Sequence, residues 1–406
     1  MTDRIVIVGA GQAGFALAAK LRGLGDRRAI TLIGAEAVAP YQRPPLSKKY
    51  LLDEMTFDRL LFRPEGWYAE NSIDLRLAAF VEAIDRKSRE VVLQDGERIG
   101  YGTLVLATGA TPRRLPRDLG GDLSGVFVMR DKRDADALRE EMQPGRHMLV
   151  IGGGYVGLEA AAVARKFDVS VTVIEMADRI LKRVAAPETS DIMRAIHRSH
   201  GVDIRENTGI ELLEGEGGRV TRARLSDGST LAVDIVLTGI GVTPNDDLAQ
   251  RAGLAVGNGI VVDAFGRSSD PDIYAIGDCA EQPFAGRRVR FESVPNAVDQ
   301  SEAVAGVIAG TPAPYVAEPW FWSDQYNVKL QIAGFNDGYD ATVVRPGPRE
   351  GSVSVWYFRG DELLAVDAIN DARAYVAGKK MLAAGLRPSP DVIADPATDL
   401  KALSTG

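Results

Sequence analysis

Residues 148–175, MLVIGGGYVGLEAAAVARKFDVSVTVIE, leave this chain little choice of fold. An apolar run, Leu149-Val150-Ile151, turns at Gly152-x-Gly154-x-x-Gly157; an Ala-rich helical pattern follows, and a second strand over 169–174 ends on Glu175. Gly152 permits a tight turn, Gly154 lets a pyrophosphate approach the backbone, and Gly157 lets the helix pack close to its strand. The pyrophosphate would sit on free N–H groups of the first helical turn, where Tyr155 and Val156 stand and the helix dipole favours an anion. Glu175 comes 18 residues after Gly157. A carboxylate there accepts both hydroxyls of an adenosine ribose and repels a 2′-phosphate, so NAD is expected rather than NADP.

The same unit occurs earlier. Residues 4–25 read RIVIVGAGQAGFALAAKLRGLG, with Gly9, Gly11 and Gly14 in the places of Gly152, Gly154 and Gly157. Two such units on one chain suggest two dinucleotides, a flavin and a nicotinamide. The first ribose acid is less obvious: Glu36 lies 22 residues after Gly14, beyond a longer loop, and either it or backbone groups would hold the ribose. Leu104–Pro112 is a strand running into Ala107-Thr108-Gly109, a small-residue end against which a cofactor can lie. Residues 234–244 repeat that pattern, which argues for duplication of a whole domain. The expected fold class is α/β, with two Rossmann-like dinucleotide-binding domains and a C-terminal α+β domain. The expected boundaries are 1–111 and 240–313 for FAD, 112–239 for NAD with an antiparallel insertion near 210–233, and 314–406 for the last domain.

Bulk properties narrow the function. A net charge of −8 disfavours nonspecific nucleic-acid binding. No apolar run is long enough to span a bilayer. Met-Thr-Asp-Arg leads straight into a strand, so no targeting segment is expected. The one cysteine, Cys279, excludes an intrachain disulfide and so any paired-thiol redox centre; it is expected to be a buried small hydrophobe. A cytoplasmic location follows as the default. His147, His197 and His200 form no metal-ligand pattern, and His197 and His200, one helical turn apart, are expected to face solvent. Lys48 and Lys49 close a segment in which Pro44-Pro45 stiffen the backbone before an expected short helix; as residues alone they read as a solvated face. Trp320 and Trp322, two apart, would share one face of a strand.

These residues resemble the two-dinucleotide flavoprotein reductases shaped like glutathione reductase. Within them the chain is most similar to the ferredoxin reductases of bacterial cytochrome P450 and Rieske oxygenase systems. The resemblance covers essentially the whole chain. It rests on YQRPPLSK at 41–48, Ala107-Thr108-Gly109, Glu159, Ala275-Ile276-Gly277-Asp278, Ser293-Val294-Pro295-Asn296 and PWFWSDQ at 319–325. It implies FAD in the first domain, with Gly9, Gly11, Ala13 and Gly14 at the pyrophosphate and Val81 backbone at the adenine. Arg130 would lie along the cofactor, Asp278 after Gly277 would bond the ribityl or phosphate region, and Val294 would face the flavin pyrimidine end. Arg43, Pro44, Lys48, Ala107, Thr108, Gly109 and Trp322 complete the implied FAD set, with Glu36 as the candidate ribose contact. For NAD it adds Arg183 and Gly241 to the glycine turn and Glu175.

Lys48 and Glu159 are the implied catalytic pair, beside the flavin N5 and the nicotinamide. Hydride transfer needs donor and acceptor about 3–3.5 Å apart and aligned, and a lysine there would offset the negative charge that reduction leaves on the flavin. Taken alone, Glu159 reads as an acid stabilised by the helix dipole. The implied activity is NADH-dependent reduction of a [2Fe–2S] ferredoxin, with Arg287, Arg288 and Arg290 as a candidate docking patch and either a monomer or a homodimer as the assembly. Two other readings share the fold: a small-molecule NADH oxidase or quinone reductase, and an NADH-responsive binding flavoprotein of the apoptosis-inducing-factor kind.

Overall fold

The computed structural model describes residues 3–404. They form two compact units. The first takes the described residues up to Gln42, Phe57–Thr111 and Val242–Pro319; the second takes Arg43–Thr56, Pro112–Gly241 and the described residues from Trp320 onward. Arg43–Thr56 thus packs with the second unit although its neighbours in sequence belong to the first.

The first unit is built on a parallel sheet in the order Ile273–Ala275, Thr103–Leu106, Ile5–Val8, Ile30–Ile33, Ile73–Arg76. Every residue of the central strand is buried, as a parallel strand covered on both faces requires. Alternate side chains feed two cores. Ile5 and Ile7 pack with Leu17, Leu21, Val304 and Ala305 of the helices Gln12–Gly23 and Val294–Ile308. Val6 and Val8 pack with Val91, Leu93 and Ile99 of a three-stranded antiparallel sheet.

The second unit repeats the plan. Its parallel sheet runs Val202–Glu206, Ser170–Glu175, His147–Ile151, Ile235–Thr238, Val126–Phe127. Met148 and Val150 face the helix Tyr155–Lys166, and Leu149 and Ile151 face the antiparallel strands Ile210–Glu216, Arg219–Leu225 and Thr230–Ala232. The expected insertion near 210–233 is therefore the counterpart of the antiparallel sheet in the first unit.

The same unit carries a five-stranded antiparallel sheet in the order Trp320–Gln325, Val328–Gly334, Glu362–Ile369, Val353–Arg359, Ala341–Pro346, followed by the helix Ala372–Ala383. The strand Ala341–Pro346 carried no sequence expectation. Its Arg345 is buried and donates to the carbonyls of Ile393, Asp395, Pro396 and Thr398 at 2.6–3.2 Å, tying down the C-terminal segment.

Asp367 lies fully buried in this sheet. Its Oδ2 accepts from Thr189 Oγ1 at 2.8 Å and from the Tyr357 hydroxyl, while its Oδ1 has no partner. Burial pushes the carboxyl up from 3.8 to about 6. Because the folded value lies above the unfolded one, the folded protein holds the proton more tightly. The stabilisation is fully present below pH 3.8 and is lost as pH rises through about 6. Against Asp367→Asn, which cannot titrate, the wild type should therefore gain about 1–3 kcal/mol in unfolding free energy as pH falls from 7 to 4. Urea titrations at the two pH values measure this, and a flat difference would refute it.

Candidate dinucleotide sites and the Lys48–Glu159 pair

Both glycine turns are built alike. Gly9 has φ +115° and Gly152 φ +103°; a Cβ on either would strike a carbonyl of the neighbouring strand end, Ala107 O at 2.1 Å or Gly239 O at 2.5 Å. A Cβ on Gly14 would meet Gly9 O at 1.9 Å, and one on Gly157 would meet Gly152 O at 2.5 Å. The middle glycines differ: a Cβ on Gly11 or Gly154 meets nothing within 4 Å. Each middle glycine is the N-cap of its helix, so that open space adjoins a first turn whose N–H groups lack intrahelical partners. That is the cradle a pyrophosphate fits.

In the first unit, Gly277 turns with φ +73° and comes close to Ala13 and Ala297; a Cβ there would lie 3.0 and 3.8 Å from theirs. The Gly277 N–H donates to Gln300 Oε1, Gln300 donates to Gln282 and Gln282 to Asn296, a buried amide chain that holds the Gly277-Asp278 turn against the start of the helix at Val294. The Ala107-Thr108-Gly109 end is clamped by Asn245, whose amide donates to Thr108 O at 2.8 Å and whose backbone carbonyl accepts from Thr108 Oγ1 at 2.6 Å. Glu36 Oε2 accepts from the Tyr41 hydroxyl at 2.7 Å. Val81 is buried at the start of its strand. Of the implied FAD residues, Arg43, Pro44, Lys48, Arg130 and Trp322 belong to the second unit; there Arg43 Nη1 donates to Arg130 O at 2.9 Å.

In the second unit, the Glu175 carboxylate accepts from the backbone N–H of Gly153 and of Ala177, each at 2.8 Å. The acid is thereby tied to the glycine turn itself. Arg183 reaches the strand end opposite: its Nη1 lies 3.5 Å from where a Cβ on Gly241 would stand. Three exposed apolar side chains, Val156, Met176 and Ile240, follow Tyr155, Glu175 and Gly239.

Lys48 and Glu159 meet in this unit. Lys48 Nζ lies 2.8 Å from Glu159 Oε2, with the two side chains 16% and 4% exposed. The 3-10 helix Pro44–Ser47 brings Ser47 along, and its Oγ donates to the same oxygen at 2.7 Å. Ser323 Oγ donates to Glu159 Oε1 at 2.6 Å. Glu159 is thus neither in the first helical turn nor solvated, and Lys48 is not part of a solvated face. Three donors thus meet a buried carboxylate, which offsets the cost of taking it out of water. Trp320 and Trp322 do share a face, stacked 5.7 Å apart. Tyr155 packs on Phe321 of the opposite face, 4.8 Å between rings.

One expectation needs correction. His197 is fully buried, not solvent-facing: helix Pro187–Ser199 presents Thr189, Met193 and His197 inward, and only His200 is exposed. Of the candidate docking residues, Arg287 and Arg288 are exposed and Arg290 is drawn in. Arg290 is 6% exposed and bonds Asp278 O and Glu292, and Arg288, though exposed, donates to the carbonyls of Val262 and Glu281. Cys279 is buried as expected. Ser47, Ser323, Asn245, Gln282 and Gln300 escaped the sequence reading. Ser47 and Ser323 lay inside quoted motifs, next to Lys48 and Trp322, but a serine carries no signal of its own.

Fold and site together define a class: an oxidoreductase with one dinucleotide cradle in each of two duplicated Rossmann-type units and no thiol pair. The chain belongs to the pyridine nucleotide-disulphide oxidoreductase family, whose model matches residues 3–301, and carries a reductase C-terminal domain at 320–404. Its cofactors are FAD and NAD(H). A ferredoxin–NAD(P)(+) reductase of a Sphingomonas species is 44% identical, over 100% of this chain and 99% of its own. The putidaredoxin reductase of Pseudomonas putida is 40% identical over 98% of this chain and 96% of its own. The solved covalent complex of a putidaredoxin reductase with putidaredoxin matches with a TM-score of 0.96 and 40% identity, covering 99% of this chain and 98% of that one. Among the described residues, no helix is long and apolar enough to cross a membrane.

Proposed function

We propose that this protein is an NADH-dependent ferredoxin reductase serving a cytochrome P450 or Rieske oxygenase. The observation that carries this reading is the Lys48–Glu159 pair, buried and ion-paired on the helix that follows the Gly154 cradle, in a chain with no thiol relay. FAD, held by the Gly9–Gly14 cradle and the Gly277-Asp278 turn, supplies the splitting of a two-electron donor into one-electron steps.

The remaining work falls to the chain's own residues. The Gly154 cradle binds the NADH pyrophosphate, and Glu175 takes the adenosine ribose with its remaining lone pairs. Lys48 and Glu159 act as electrostatic and positioning groups for hydride transfer, and neither needs to exchange a proton. The acceptor is a [2Fe–2S] ferredoxin, which takes single electrons. The reading places the protein in the cytoplasm, consistent with a single, buried thiol and with the absence of a membrane-spanning helix among the described residues.

Anaerobic stopped-flow reduction, followed by mixing with a panel of [2Fe–2S] ferredoxins, tests both halves. Fast reduction by NADH, slower by NADPH by at least about tenfold, and rapid one-electron transfer to one ferredoxin are expected. Fast flavin reduction with electrons passing only to oxygen or quinones would move the assignment to a small-molecule reductase. Slow reoxidation by every acceptor would favour an NADH-responsive binding protein. A preference for NADPH would overturn the role of Glu175.

A further inference from the structure

The strand Trp320–Gln325 presents its odd-numbered side chains to one face, and each meets a partner on the nucleotide-binding part of the same unit. Phe321 packs on Tyr155, Ser323 bonds Glu159 and Gln325 bonds His197. The polar contacts join into one chain whose direction is fixed by elimination. Gln325 Nε2 donates to Ser323 Oγ at 3.0 Å, so Gln325 Oε1 can only accept, and His197 Nε2, 2.6 Å away, must carry the proton. Burial holds the His197 imidazole down at about 4, so at neutral pH its Nδ1 is a bare acceptor, 3.1 Å from the Tyr326 hydroxyl. Tyr326 donates to His197, His197 to Gln325, Gln325 to Ser323 and Ser323 to Glu159. Every donor points toward the carboxylate that Lys48 pairs.

Resting on the function above, we propose that His197 and Gln325 are positioning residues for hydride transfer, fixing the Glu159 carboxylate through Ser323 by a chain of hydrogen bonds of a single direction. The chain is not a proton conduit. A proton passed along it would leave the Gln325 amide as its imidic acid, whereas a chain used only for orientation needs no such step. A mobile Glu159 would let Lys48 wander, and misplacement by about 1 Å can cost up to about a hundredfold in rate.

Two measurements on the FAD-loaded full-length protein test this. The chain contains only three histidines, so nitrogen-15 histidine spectra are assignable by substitution. His197 should appear as the neutral Nε2–H tautomer at pH 7, and its Nε2–H proton signal should shift in both Ser323→Ala and Glu159→Gln, although neither residue touches it. In stopped flow, His197→Leu should lower the rate of flavin reduction by saturating NADH about tenfold, with the NAD⁺ dissociation constant changed less than about twofold. His197→Gln, which keeps a donor at the Nε2 position, should restore most of the rate. If His197→Leu does not fold, Ser323→Ala replaces it, with the same tenfold loss expected. An Nδ1–H tautomer, a signal blind to Glu159→Gln, or equal rates in the Leu and Gln variants would overturn the proposal. Failure of NADH to reduce any form would instead count against the function itself, and the spectra would still decide whether the chain exists.

Discussion

Lys48→Met is expected to slow flavin reduction by NADH about 100- to 1,000-fold, the range found when one preorganised electrostatic group is removed from a reacting centre. The variant deletes the charge and strands the Glu159 carboxylate, which is 4% exposed and would keep only Ser47 and Ser323 as donors. Lys48→Arg keeps the charge but not the compact ammonium that fits between Glu159 Oε2 and the Pro44 carbonyl, so it should recover only part of the rate. Stopped-flow reduction at saturating NADH separates this loss from weaker binding. A loss of less than about fivefold for Lys48→Met would remove the pair from the chemistry and leave it a structural ion pair.

The second large effect separates folding from binding within a single turn. Gly154→Val places a side chain in space that is empty of protein, at an ordinary negative φ of −83°. The fold should therefore survive, with the melting temperature changed by no more than a few degrees, while NADH binding falls at least about a hundredfold because the pyrophosphate needs that space. Gly157→Val, three residues on, should do the opposite damage. Its Cβ would sit 2.5 Å from Gly152 O and 2.9 Å from Val150 Cγ1, both part of the buried strand and turn, and overpacking of this kind costs about 1–3 kcal/mol or more. Calorimetry and NADH titration on the two variants give a crossed pattern. If Gly154→Val bound NADH normally, the cradle would not be where the nucleotide sits.

How much of this was legible in the sequence depends on the range of the contacts concerned. The Rossmann-type units were readable because strand, glycine turn, helix and second strand are contiguous and each glycine has a local reason. The repeat of the pattern at Ala107 and Gly239 even gave the neighbouring strand ends, whose carbonyls close against Gly9 and Gly152. Lys48 and Glu159 were readable only through resemblance, since 111 positions separate them and neither residue type is diagnostic. His197 was misread because the 197–200 spacing says that two histidines lie near each other but not which face the chain will cover. What covers it is Gln325, 128 positions away. Of the arginine run at 287–290, only Arg290 is drawn in, onto Glu292 and the Asp278 carbonyl.

The strand Trp320–Gln325 also determines what can be inherited as a piece. Its sheet begins well after the nucleotide-binding segment ends and has the appearance of an exchangeable appendage. Yet Ser323 and Gln325 complete the surroundings of Glu159, and Ser47 and Lys48 reach the same carboxylate from a segment lying ahead of the second glycine turn. A recombinant made from two relatives with a crossover near residue 315 would join a carboxylate from one parent to its donors from the other. Breakpoints that keep 43–56, 112–241 and 320–406 from one parent preserve the whole cluster, so the heritable module here is a set of three separated stretches rather than any continuous one.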